Sequence, residues 1–113
     1  MTLSLLLSLD ILLQDSWDKA AHYHLTSQQR RVLLSRPLLQ WEKCVFQRGT
    51  RYGPMKNERA ELALVMGGAI IHEIGGKTYE QREDDLLVIP AGFEHTAAIG
   101  QDKDCTAYAY YKK

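Results

Sequence analysis

The sequence predicts an all-β domain, an antiparallel sandwich or barrel whose strands come mostly from residues 38 to 113. Three observations carry that expectation. Short apolar runs follow one another closely after Pro37, and glycine and proline punctuate them. "AIIHEI" and "KTYEQ" are separated by Gly75-Gly76, a two-residue hairpin turn whose backbone glycine enters easily. Beyond residue 36 the chain has little of the 3.6-residue apolar period that marks a helix.

In chain order, the leucine-rich opening comes first. Its odd positions Leu3, Leu5, Leu7, Leu9, Ile11 and Leu13 are all apolar, which is the period of a half-buried strand. A helical template through Leu3, Leu6, Leu7, Leu13 and Trp17 fits as well except at Asp10, so a strand and a helix both remain open. The polar stretch from Asp15 offers Thr26 or Ser27 as the N-cap of a short helix over "QQRRVLL", which Pro37 stops. "LLQWEKCVFQ" then reads as a strand, "RGTRYGP" as a loop and "ELALVM" as a second strand ahead of Gly67-Gly68. After the glycine hairpin, "REDD" makes a turn, "LLVI" a buried strand ended by Pro90, and "CTAYAYYKK" a final alternating strand. This divides the chain into an N-terminal extension, 1 to 37, packing on the main body or on a partner copy, and a β-domain, 38 to 113.

Composition narrows the function. With 14 basic and 14 acidic side chains among 113 residues there is no net field to draw in nucleic acid or an acidic membrane. Cys44 and Cys105 are too few for a disulfide scaffold and lack a C-x-x-C spacing, so both are expected as free thiols. No Lys or Arg precedes the N-terminal apolar run and Asp10 interrupts it, unlike a secretory signal, and it is too short to span a bilayer. A soluble cytoplasmic protein is the expectation.

The chemistry gathers around two stretches. "DDLLVIPAGFEHTAAI" follows the pattern G-D-x4-P-x-G-x2-H-x3-N at Asp85, Pro90, Gly92 and His95, with Asp84 and Ile99 departing from it. "GTRYGPMKNERAELALVMGG" follows the spacing of G-x5-H-x-H-x3-E-x6-G at Gly49, Glu61 and Gly68. Fifteen residues separate Gly68 from Asp84. In these motifs the chain between Gly49 and Ile99 resembles the cupin superfamily, a resemblance that covers somewhat less than half its length. It implies an antiparallel jelly-roll β-barrel with a short N-terminal strand or helix extension.

In metal-binding cupins the two histidines and the glutamate of the first motif join the histidine of the second around one ion. Here those positions are Met55, Asn57, Glu61 and His95. A thioether is soft and a neutral amide is a weak donor, so a resident transition metal is not expected, a weakly bound divalent ion being the alternative. His22 and His24 have H-x-H spacing but lie outside the motif and are expected in a loop or a cap. His72 shares its strand face with Ile70 and Ile74, as a core or pocket histidine. Glu61 beside His95 favours the imidazolium and orients the ring, as general acid-base work requires, unless Glu61 instead pairs with Lys56 or Arg59.

The resulting expectation is a cupin domain that binds a small molecule through Met55, Asn57, Glu61, His72, Phe93 and His95, with a degenerate metal site. A metal-independent isomerase, epimerase or lyase using His95 and Glu61 as catalytic residues remains an alternative. So does a metalloenzyme with an unusual ligand set drawn from Glu58, Glu61, His72 and His95. The apolar face of residues 3 to 13 calls for a partner that one small barrel does not supply, hence a homodimer. Neither nucleic acid nor membrane is an expected partner.

Overall fold

A computed structural model describes residues 17–36 and 39–112. Along the chain run β1 (Ala21–His24), α1 (Ser27–Leu34), β2 (Glu42–Phe46), β3 (Arg51–Met55), β4 (Glu61–Gly67), β5 (Ile70–Ile74), β6 (Lys77–Gln81), β7 (Asp85–Ile89), β8 (His95–Ala98) and β9 (Cys105–Tyr111). The strands form a five-stranded sheet, β1-β7-β4-β9-β2, and a four-stranded sheet, β3-β8-β5-β6. Every pairing is antiparallel. This is the all-β jelly roll that the motifs imply, with its barrel made as two separate facing sheets. The leucine-rich stretch 3 to 13 lies outside the described residues.

The alternation of side chains along a strand explains how the five-stranded sheet is buried on both faces. On β7, all five residues of "DLLVI" are buried. Leu86 and Val88 point outward and join Leu62 and Leu64 of β4 in a cluster with Trp17, Leu25 and Leu33. Leu87 and Ile89 point inward, beside Ala63 and Ile74. A segment from within residues 1 to 37 thus supplies the cover on the outer face, and β1 adds a strand to the sheet edge.

The cover is held locally. Thr26 caps α1 through a capping box, its hydroxyl accepting from the Gln29 amide at 3.0 Å while Gln29 Oε1 accepts from the Thr26 amide at 2.8 Å. Arg30 of the helix forms an ion pair with Asp84 in the turn before β7. Asp84, which stands where the second motif has glycine, has φ 72°, a left-handed conformation that Asp tolerates better than most residues. The substitution therefore keeps the turn and adds a carboxylate for Arg30. At Gly68 (φ 80°) no such exchange is open, since a Cβ there would lie 2.5 Å from the Asp104 carbonyl oxygen.

Two local expectations change. His22 and His24 sit on strand β1 rather than in a loop or a cap, and both imidazoles reach the buried carboxylate of Asp85, His22 Nε2 at 3.2 Å from Oδ2 and His24 Nδ1 against Oδ1. The Arg82 amide donates to the same carboxylate at 3.0 Å. Burial alone pushes the Asp85 pKa up, but the Arg82 amide and the two histidines outweigh it and hold the group below its ordinary value. "RGTRYGP" is also more than a loop, because Arg51–Met55 form β3, with a register shift against β8 between Tyr52 and Met55.

Candidate functional site

The inward faces of the two sheets do not meet everywhere. Ala63 on β4, Ala107 and Ala109 on β9 and Ala97 on β8 all point between the sheets, and their short side chains leave a cavity of about 220 Å³. Its walls also carry Val65, Ile70, Phe46, Tyr52 and Cys44, and its polar groups are Asn57, Glu61, His72, Gln81 and Tyr111. Met55 borders it, 39% exposed. A separate open groove of about 480 Å³ shares Asn57 and Tyr111 with the cavity and is also lined by Lys56, Glu58 and Arg59.

The register brings the motif positions together. Met55 on β3 stands opposite His95 at the start of β8, and Glu61 on β4 stands opposite Tyr111 on β9. Asn57 Nδ2 donates to Glu61 Oε1 at 2.8 Å, and the Tyr111 hydroxyl is a further hydrogen-bond partner of that carboxylate. The Asn57 carbonyl accepts from the Gly92 amide at 2.9 Å, which ties the first-motif loop to the turn that precedes His95.

His95 is 2% exposed and lies near both Glu61 and His72, although it is not among the residues lining the cavity itself. Its Nδ1 donates to the Phe93 carbonyl at 3.1 Å, so the turn backbone, rather than Glu61, orients the ring. Phe93 stands apart. It is 42% exposed and lines a separate shallow groove with Trp17, Arg59 and Lys112.

Electrostatics separate the titratable groups. Burial pushes the Glu61 carboxyl up from its ordinary pKa, against the opposing pull of the Asn57 bond, the nearby His95 and Tyr111. Burial brings His72 down to about 4, His95 acts in the same direction, and Gln81 opposes them. His72 is therefore a neutral imidazole near pH 7. Burial likewise raises Tyr111 to about 12 and Cys105 to about 11 and pushes Cys44 up, so both thiols stay protonated.

Sequence reasoning missed Gln81 as a member of this cluster. A signal for Gln81 was present. A two-residue turn at Gly75-Gly76 fixes the hairpin register so that position 81 opposes Ile70, an inward residue.

A two-sheet antiparallel jelly roll enclosing a cavity of ligand size defines the cupin-like class of small barrels. Within that class, the chain belongs to the AraC-like ligand binding domain family, whose pattern matches residues 44–112. No curated relative matches the sequence. Among solved structures it is similar to a DUF861 family protein from Thermotoga maritima, with TM-score 0.63, 13% identity, and coverage of 83% of this chain and 100% of that one. A Cupin 2 conserved barrel domain protein from Salinispora arenicola gives TM-score 0.58 at 18% identity over 83% of this chain and 75% of that one. KdgF from Halomonas sp. gives TM-score 0.57 at 20% identity over 88% and 86%. No helix among the described residues is long and apolar enough to cross a membrane.

Proposed function

We propose that this chain is a non-catalytic domain that binds a small molecule in the cavity between its sheets, and that its metal position is degenerate. The cavity is the observation that supports the reading. Four inward alanines leave space in a body whose other inward positions are filled by Val, Ile and Leu, and hydrogen-bonding side chains border that space. The donor set around His95 does not fit a catalytic metal. Met55 offers a thioether, the Asn57 amide is committed to Glu61, and no group of three or more His, Cys, Asp or Glu among the described residues is arranged to hold an ion.

A thermal-shift screen of sugars, organic acids and small aromatics tests this reading, with Ala107→Leu as the control that fills the cavity. A compound that raises the Tm of the parent should have no effect on the variant. Equal shifts in both proteins would remove binding from the cavity.

One observation favours a second reading. Glu61, with its raised pKa beside His95, has the properties of a general acid or base for a metal-independent isomerase, epimerase or lyase. Turnover of a bound compound that disappears in Glu61→Gln would establish it. We further propose a cytoplasmic homodimer. Free cysteines suit a reducing compartment. β2 is an edge strand with Val45 59% exposed, a place where residues 3 to 13 of a second copy can pack or pair.

A further inference from the structure

The cupin motifs give no role to Gln81. It closes β6 with its side chain fully buried (0% exposed), and Nε2 donates to two main-chain carbonyls of the facing sheet, Ala63 O at 2.9 Å and Asp85 O at 3.1 Å. Those bonds fix the amide, because a flip would set Oε1 against two carbonyl oxygens. Oε1 is thus held as an acceptor only. By strict geometry it is buried without a hydrogen-bond partner, and so is Nδ1 of His72, although the two side chains lie close enough to interact with each other. Both residues line the cavity from the inward face of the β5–β6 hairpin. A buried polar atom left unpaired is disfavoured, so two of them bordering one cavity mark where a ligand's polar group belongs.

The remaining walls define that ligand further. Among the described residues no Lys or Arg lines the cavity, and its single acidic side chain is Glu61, so an anion would meet no countercharge. An apolar cavity of about 150 Å³ accommodates benzene. The larger space here takes one ring with a short substituent. A hydroxyl on that substituent can donate to Gln81 Oε1 while it accepts from the N–H of the neutral His72 ring.

Resting on the binding reading above, we propose that Gln81 and His72 form a specificity-determining pair, selecting a neutral ligand of single-ring size that carries a hydroxyl or amide N–H donor and rejecting carboxylates. The test uses four probes of one shape, toluene, benzyl alcohol, benzoate and benzylammonium, titrated into the full chain and followed by protein-detected NMR. Benzyl alcohol should bind at least tenfold more tightly than each of the other three. Gln81→Leu loses two main-chain bonds and risks misfolding, so His72→Leu serves as the variant. In it the preference for benzyl alcohol over toluene should fall below threefold while toluene still binds.

Equal affinity of the parent for toluene and benzyl alcohol would mean that Gln81 and His72 satisfy each other. That result overturns the pair and leaves cavity binding standing. Tightest binding by benzoate or benzylammonium overturns the charge argument, and an undiminished preference in His72→Leu removes His72 from the pair. Binding of none of the four defeats the cavity reading and this inference with it.

Discussion

His72 couples the cavity wall to pH. Its pKa falls from 6.5 to about 4 on folding, chiefly through burial. Between those values the unfolded chain holds a proton that the folded chain lacks, so stability falls as pH drops from 6.5 toward 4 and levels off below. The full effect is on the order of 3 kcal/mol. Glu61 acts with the opposite sign. Its raised pKa keeps a proton on the folded carboxyl that the unfolded one has lost, so its contribution weakens as pH climbs above the ordinary value of 4.5. Asp85, held low, loses its contribution only as pH falls below 3.8. Urea unfolding at pH 7.0 and 4.5 should therefore show the parent losing more stability on acidification than His72→Leu does. Equal losses would mean that His72 does not control this range. The parity of His72 with Ile70 and Ile74 was legible in the sequence, as was the place of His95 after the Pro90-Gly92 turn. The partner of His95 was not, since a main-chain carbonyl such as that of Phe93 leaves no mark in side-chain identity.

At the level of elements, α1 is attached to the sheet through one fully buried side chain, Leu33, within the outer cluster. Leu33→Ala should cost about 2–4 kcal/mol, the range for a buried leucine whose surroundings relax only partly. Thr26→Ala, which removes only the cap, should cost about 1 kcal/mol. Denaturant midpoints compare the two, and a larger loss at Thr26 would show that capping rather than packing holds the helix. The elements most legible in the sequence were those with both a pattern and punctuation. The hairpin over Ile70–Ile74 and Lys77–Gln81 has two glycines at positive φ in its turn, and β7 ends at Pro90. β1 and β3 were not legible, because neither has an apolar run. "AHYH" is a polar edge strand that pairs with β7 and is joined to it by Asp85, a tertiary interaction with no local signal. "RYGPM" contains the Gly53-Pro54 pair that ordinarily marks a turn, yet it pairs with β8 around a register shift.

For the molecule as a whole, the proposed homodimer makes a claim about size in solution. Light scattering should give twice the monomer mass for the full chain and the monomer mass after deletion of residues 1 to 14. A monomer in both cases would leave the N-terminal leucines without the role assigned to them. The jelly roll itself could be anticipated because two motifs agreed in spacing across residues 49 to 99. The cavity could not, because its space comes from four alanines on β4, β8 and β9 that face one another only once the sheets have formed. Those strands divide their residues between two duties. On β4, Leu62 and Leu64 grip the outer layer while Ala63 and Val65 border the cavity. If the cavity holds the ligand as proposed, neighbouring codons in one strand answer to different demands, one set to staying folded and the other to which molecule is admitted. On that reading, a lineage carrying this sheet could exchange its ligand through alternate codons, one substitution at a time, while the anchoring set remains untouched.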